Sequence, residues 1–241
     1  MIVKPYVSTD SKKAQVEQMF DNIAGTYDPL NRFLSLGIDV YWRRKAIDYL
    51  RDSRPQHVLD VATGTGDVAL ALYKELQPAH ITGLDLSAQM LNIGKEKITK
   101  AGLSDKIDMI QGDSENLPFT DNKFDAITVA YGVRNFGNLQ AGLKEMLRVL
   151  QPSAKLVVIE FSRSKVFPVR QLFDLYFRYI LPAIGKLTSK DARAYSYLYE
   201  SVQAFPDGND FLAELTTAGF ADVTWKPMTF GICSVYIATK K

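Results

Sequence analysis

The short apolar run Val58-Leu59-Asp60-Val61 breaks into Ala62-Thr63-Gly64-Thr65-Gly66-Asp67. Val68, Ala69, Leu72 and Leu76 then recur at helical spacing. A strand that meets a helix through two closely spaced glycines leaves little choice of fold, because glycine lets the backbone turn tightly and lie against a ligand with no Cβ in the way. The alternation continues downstream. Strands are predicted at His80 to Leu84, Ile107 to Ile110, Phe124 to Ala130 and Lys155 to Phe161. Ser87 is positioned as the N-cap of a helix that buries Met90, Leu91 and Ile98, and Leu139 to Leu150 reads as another helix. Such alternation predicts a parallel sheet with helices on both faces. The tail differs: after a helix from about Asp210 to Ala218, Val223 to Met228 and Cys233 to Thr239 are strands joined only by Thr229, Phe230 and Gly231. That link is too short for a parallel crossover, so the last strand runs antiparallel. The expectation is an α/β fold with a seven-stranded, mostly parallel sheet and an antiparallel last strand.

Upstream, residues 12 to about 50 read as helices. Val16, Met19, Phe20 and Ile23 form one stripe, and Trp42, Ala46, Ile47 and Leu50 form a second. Tyr27-Asp28-Pro29-Leu30-Asn31 between them is a turn signal. A length of 241 residues suits a single domain with additions: residues 1–241 as one unit, 1–50 as a helical cap and 163–206 as a helical lid insertion. With 46% hydrophobic and 23% charged residues, disordered, collagen-like and disulfide-scaffold classes are excluded. A net charge of +2 favours neither nucleic acid nor an acidic partner. The single cysteine, Cys233, has no internal disulfide partner, and no Cys/His cluster is spaced for zinc, so no metal is expected. The cysteine usage points to the cytoplasm. No stretch of roughly 18 uncharged apolar residues spans a membrane, and Met1 to Ser11 lack the apolar run of a secretory signal. The sequence is compatible with a homo-oligomer.

Three acids mark the ends of successive strands: Asp60 just before the glycine loop, Asp85 after the second strand and Asp113 after the third. Asp85 lies 19 positions beyond Gly66, where a carboxylate can accept from both hydroxyls of a ribose. Two ligands compete, a dinucleotide and S-adenosylmethionine (SAM). The dinucleotide fingerprint calls for a third glycine where this chain has Ala69, a mild mismatch. Asp60 decides the matter, because a carboxylate repels a pyrophosphate but attracts an ammonium and a sulfonium. Asp113 can accept from the adenine amino group. The expected cofactor contacts are Asp60, Gly64, Thr65, Gly66, Asp85, Asp113 and Ser114, with Thr65 offering its hydroxyl or amide to the methionyl carboxylate.

These features resemble the class I SAM-dependent methyltransferases, and the remaining motifs narrow the likeness. Tyr27-Asp28-Pro29-Leu30-Asn31 with Ser35 and Trp42-Arg43 resembles the amino-terminal signature of the UbiE/MenG family, the C-methyltransferases of ubiquinone and menaquinone biosynthesis. Asn116-Leu117-Pro118-Phe119, Gly132-Val133-Arg134-Asn135, Arg148-Val149-Leu150, Glu160-Phe161-Ser162 and Tyr197-Leu198-Tyr199-Glu200-Ser201 follow in family order. Departures exist. Asp39 stands where the family often carries a histidine, Gln151-Pro152-Ser153-Ala154 replaces a Lys-Pro-Gly-Gly turn, and Ala130 replaces a serine found in some relatives. The resemblance implies methyl transfer from SAM to a ring carbon of a reduced, prenylated quinol, demethylmenaquinol or a ubiquinol precursor. Two rivals stand beside it: a methyltransferase acting on a soluble small molecule, and a non-enzymatic SAM-binding module.

Such a transfer needs a phenolate next to the accepting carbon, and a phenol of pKa near 10 keeps its proton at neutral pH. His57 and His80 start the first two strands, at the end of the sheet opposite the crevice. Arg134, just past the fourth strand, is the candidate for steadying the phenolate or orienting a water as base, and Tyr27 is the second catalytic candidate. Tyr131, Tyr197 and Tyr199 are candidates for an aromatic wall, with Asp28 and Glu200 as weaker bases.

A prenylated substrate also needs an apolar route. Residues 163–193 carry Arg163, Lys165, Arg170, Arg178, Lys186, Lys190 and Arg193 against Asp174 and Asp191. Phe167, Leu172, Phe173, Leu175, Tyr176, Phe177, Tyr179, Ile180, Leu181 and Ile184 interleave with them. The expectation is a lid that makes transient contact with an anionic membrane surface, and hence a peripheral protein on its inner face. The rest of the chain is net acidic, so this is not a nucleic-acid platform.

Overall fold

The computed structural model describes residues 3–180, 191 and 193–241, and the side chains of Phe33, Leu34 and Ile180 fall outside the description. The apolar runs pair into one sheet of seven strands: β1 (His57–Val61), β2 (His80–Asp85), β3 (Ile107–Gln111), β4 (Phe124–Ala130), β5 (Leu150–Phe161), β6 (Ala221–Met228) and β7 (Cys233–Thr239). Their order is β3-β2-β1-β4-β5-β7-β6. β1 to β5 are parallel, and β7 is antiparallel to both β5 and β6, as the short final link requires. Strand order reverses between β1 and β4, which opens a crevice at their carboxyl ends. Ile110, Leu84, Val61, Val129 and Val158 form one row across the sheet. Residues beyond that row belong to the crevice.

Helices α1 (Lys12–Leu34), α2 (Ile38–Ile47), α3 (Asp67–Leu76), α4 (Ala88–Lys100), α5 (Leu139–Val149), α6 (Val169–Leu175), α7 (Arg193–Ala204) and α8 (Asn209–Ala218) surround the sheet. One face packs Leu59 and Val61 against Leu143 and Met146 of α5 and Phe211 of α8. The other packs Val58 and Ile81 against Trp42, Leu72 and Leu91. Most of these side chains are fully buried, each contributing about 1.5–3 kcal/mol relative to exposure. A third cluster joins Val16, Met19 and Ile23 of α1 to Phe173, Phe177 and Tyr197, so α1, α6 and α7 pack together above the crevice.

Two elements differ from expectation. The turn predicted at Tyr27 to Asn31 is absent, and α1 runs through Pro29 to Leu34. Proline removes the amide that Gly25 would bond and crowds its carbonyl. Here Gly25 and Pro29 both face solvent and nothing lies within 4 Å of a Cβ built on Gly25, so the ring has room and water reaches the carbonyl. Burial of Ile23, Ala24 and Leu30 outweighs the local break. The chain turns later, where Leu36 and Gly37 take φ of 51° and 78°. The turn expected at Gln151 to Ala154 lies within β5, which starts at Leu150 and carries an irregular register opposite Phe124 to Ala126.

Residues 163–180 form α6 and a π-helical turn, Tyr176–Ile180. Leu181, Ile184, Lys186 and Lys190 of the basic aromatic stretch lie outside the described residues. Among the described residues, no helix is long and apolar enough to cross a membrane, and no cluster of ligating side chains could hold a metal.

Candidate active site

α1 lies across the carboxyl edge of the sheet and is tied to the loop after each of β1 to β4. Thr65 Oγ1 donates to Asp28 at 2.6 Å. Ser87 Oγ and the Gln89 amide donate to Asp21 at 2.5 and 3.2 Å. Lys13 pairs with Asp113 at 2.6 Å and Glu115 at 3.1 Å. Lys12 donates to the carbonyls of Arg134 and Phe136 at 2.8 and 2.9 Å. Burial, and secondarily the Arg134 charge, push the Lys12 pKa down to about 8.

Beneath α1 lies a cleft bordered by Gly64, Asp85, Asp113 and Ser114 from the loops and by Lys13, Glu17 and Phe20 from α1. Asp85 accepts from the Gly64 amide at 2.8 Å and the Ser87 amide at 2.9 Å. Burial raises its pKa, while these amides oppose the rise. The carboxylate retains acceptor capacity for a ribose hydroxyl. Gly64 has φ of 57°, and a Cβ there would meet nothing within 4 Å, so the loop leaves a cradle. Glu17, Asp85, Asp113 and Glu115 face this space with Lys13 as their one cationic neighbour on its wall. An acidic wall over an open glycine cradle fits a cationic nucleoside such as SAM.

Three expected contacts are placed differently. Asp60 lies one residue before the row that ends the sheet, paired with Gly83 and Thr128 on its neighbours. Its oxygens accept from Thr63 Oγ1 at 2.6 Å and Thr128 Oγ1 at 2.7 Å. It is 1% exposed and borders neither cavity, so it anchors the loop from below instead of touching a ligand. Burial raises its pKa to about 6. Thr65 borders the second cavity; its hydroxyl donates to Asp28 and accepts from Lys97 at 3.2 Å, which leaves its amide as the group the sequence reading also allowed. Gly66, at φ 78°, caps α3 and packs on Met109.

A second, larger cavity opens beyond the first, and the two share Phe20, Tyr27, Ala62, Gly64, Tyr131 and Asn135. Ala62 and Tyr131 hold φ of 55° and 58° at the ends of β1 and β4, a strained conformation for side-chain-bearing residues that concentrates at functional sites. A Cβ on Gly132 would stand 2.6 Å from Ala62 Cβ, so glycine lets these two loops touch. Arg134 borders this second cavity. Its side chain is nearly buried and pairs with Glu160 at 2.7 Å, and it also donates to the Tyr131 carbonyl. Burial raises the pKa of the fully enclosed Glu160, and Arg134 opposes the rise. Arg134 Nε, Asn135 Oδ1 and Tyr197 Oη are buried without a protein partner. Burial also raises the pKa of Tyr27, Tyr131 and Tyr197, so these remain phenols that donate.

The two weaker base candidates are otherwise engaged. Asp28 holds Thr65 and Lys97. Glu200 takes both arms of Arg193 at 2.6 and 2.8 Å and borders neither cavity. Tyr199 borders neither. Asp39, at the family's histidine position, is paired with Arg43 at 2.7 Å and accepts from Ser35 at 2.7 Å. His57 and His80 sit at the opposite end of the sheet, as expected. Lys12, Glu17, Thr63, Asn135 and Glu160 escaped the sequence reading as site residues. Glu160 and Asn135 left a signal in the motifs Glu160-Phe161-Ser162 and Gly132-Val133-Arg134-Asn135, and Thr63 in the glycine loop; Lys12 and Glu17 left none.

The sequence profile of the ubiE/COQ5 methyltransferase family matches residues 8–240. A demethylmenaquinone methyltransferase of Bacteroides fragilis is 51% identical over 238 residues, covering 99% of this chain and 97% of that one. One from Porphyromonas gingivalis is 41% identical over 239 residues, 99% of this chain and 98% of that one. A ubiquinone/menaquinone biosynthesis C-methyltransferase of Geobacter sulfurreducens is 42% identical over 95% of this chain and 90% of its own. Among solved structures, a SAM-dependent methyltransferase of Thermotoga maritima superposes with TM-score 0.66 at 17% identity, over 93% of this chain and 99% of that one. At such identity the likeness concerns the fold.

Proposed function

The chain belongs to the ubiE/COQ5 methyltransferase family, and from that premise we propose that it methylates a ring carbon of demethylmenaquinol, with SAM as donor, to give menaquinol. It is a SAM-dependent methyltransferase by family and fold. The observation that carries the acceptor reading is the wall common to the two cavities, where Tyr27, Gly64, Tyr131 and Asn135 border both an acidic cleft and a larger aromatic one.

The cofactor supplies an electrophilic methyl group on a sulfonium. Asp85 would hold its ribose, Asp113 and Ser114 would bind its adenine, and Gly64 would leave the loop open to it. In the second cavity, Arg134, fixed by Glu160, places a cation at the wall against which negative charge on the acceptor oxygen would be stabilised. Tyr27, Tyr131, Asn135 and Tyr197 border the same space. The acids that border the cavity, Asp28, Asp39 and Asp67, are all ion-paired, so water carries the phenolic proton away. In this reading residues 1–241 are a single domain, 1–50 its cap and 163–206 its lid.

The prenyl tail leaves by the mouth that Leu36, Leu172 and Phe230 border, which are 90%, 61% and 68% exposed. Exposed Phe167 and the basic Arg170 and Arg178 lie on the same segment as Leu172. This face makes transient contact with an anionic bilayer, a peripheral association. The test is transfer of label from methyl-labelled SAM into organic-soluble product, with demethylmenaquinol reduced beforehand. Label that depends on prior reduction supports the proposal. Absence of label with SAM bound overturns the acceptor and turns the search to ubiquinol precursors and soluble phenols.

A further inference from the structure

Lys13, Glu17, Asp21 and Asp28 fall within an arc of about 80° on α1, given roughly 100° per residue. Three of the four reach a loop of the sheet: Lys13 the one after β3, Asp21 the one after β2, and Asp28 the one after β1. Glu17 has no partner among the described residues, yet it is half-buried and borders the first cavity. Glu17 shares the cleft wall with Asp85, Asp113 and Glu115, and the ammonium on that wall, Lys13, is already shared by Asp113 and Glu115. Its position therefore leaves a carboxylate with open acceptor lone pairs on the wall of the cleft.

We propose that Glu17 is a cofactor-binding residue that accepts a hydrogen bond from the adenosine moiety, a ribose hydroxyl or the adenine amino group. This rests on the first cavity being the SAM site. The register of the stripe selects that end of the ligand. One turn before Glu17, Lys13 holds Asp113. One turn after, Asp21 holds Ser87, two residues beyond Asp85. Glu17 is thus bracketed by the residues expected around adenine and ribose, whereas the glycine loop is reached only at Asp28. An amino-terminal helix then completes a site that the sheet leaves open on one side, and cofactor binding adds a fifth tie between α1 and the sheet.

Calorimetric titration of the full chain with SAM, and separately with S-adenosylhomocysteine, tests this for wild type, Glu17→Ala and Glu17→Gln. Glu17→Ala weakens both ligands by about 10- to 30-fold and to the same extent, because adenosine is common to them. Glu17→Gln, which keeps an acceptor oxygen, recovers most of the loss. Affinities within twofold of wild type in both variants overturn the proposal. A loss confined to SAM also overturns it, since Glu17 would then read the sulfonium charge. Failure of wild type to bind SAM would instead overturn the cofactor site itself.

Discussion

At the scale of single residues, the two charged side chains nearest the proposed chemistry do separable work. Asp85→Ala removes the acceptor for the Gly64 and Ser87 amides and for a ribose, and SAM affinity falls about 10- to 100-fold. Arg134→Ala would strand the buried Glu160 carboxylate, a cost of about 3–5 kcal/mol, so Arg134→Lys is the sharper variant. It keeps the charge beside Glu160 and loses the planar guanidinium that also reaches the Tyr131 carbonyl. Turnover drops by about 10- to 100-fold while the SAM dissociation constant stays within threefold; equal losses in both would remove Arg134 from catalysis. Asp60 gives a pH signature. Its folded pKa of about 6 exceeds the unfolded value, so between about pH 4 and 6 the folded state holds more protons and stability falls as pH rises. The ionised, buried form therefore costs up to about 3 kcal/mol at neutral pH. Urea unfolding at pH 4.5 and 7 measures this, and the difference between wild type and Asp60→Asn isolates it. A slope unchanged in the variant refutes the assignment.

At the scale of elements, α1 decides how the crevice closes. Its sequence contains a strong break at Asp28-Pro29, yet apolar packing of Ile23, Ala24 and Leu30 carries the helix through. The helix then delivers Lys12, Lys13, Asp21 and Asp28 to four different loops. Lys97 of α4 is the hub of one tie, bonded to Asp28 at 2.9 Å, to Thr65 at 3.2 Å and to Asp67. Lys97→Met leaves the half-buried Asp28 carboxylate without this cation, while Asp67 keeps Arg43 at 3.3 Å and Arg32 at 3.7 Å, for about 1–2 kcal/mol. The melting temperature falls by a few degrees, and amide exchange accelerates across α1 more than in β1 or β4. Uniform acceleration, or none in α1, would mean that the tie does not hold the helix.

At the scale of the molecule, the apolar mouth of the second cavity draws on three distant segments, at Leu36, Leu172 and Phe230. The basic aromatic stretch alone pointed to this face, but Leu36 and Phe230 had no signal because each is a single apolar residue at a turn. The double variant Leu172→Ser/Phe230→Ser should lower co-sedimentation with vesicles of anionic phosphatidylglycerol by at least about threefold, given some 25 cal/mol per Å² of apolar area. Binding to phosphatidylcholine should be weak throughout, and salt should weaken the anionic case. Indifference to headgroup charge and to both substitutions would remove membrane contact from the proposal.

By itself the sequence determined the sheet, the antiparallel last strand and the crevice, and it put Asp85 and Asp113 at the ends of β2 and β3. Strand periodicity, glycine spacing and link length are local, and each restricts the backbone directly. Tertiary structure alone decided which polar groups face a cavity. Asp60, Thr65 and Gly66 belong to the right motif, but a one-residue step in register turns Asp60 into the sheet, and α1 takes the Thr65 hydroxyl. Lys12 matters through carbonyls 122 and 124 positions away, Glu160 through Arg134 26 positions away, and Glu17, by the proposal above, through a ligand, contacts that no local pattern encodes. The pairing of Arg134 with Glu160 has the same origin: both sit at strand ends brought side by side only when β4 and β5 form their parallel register.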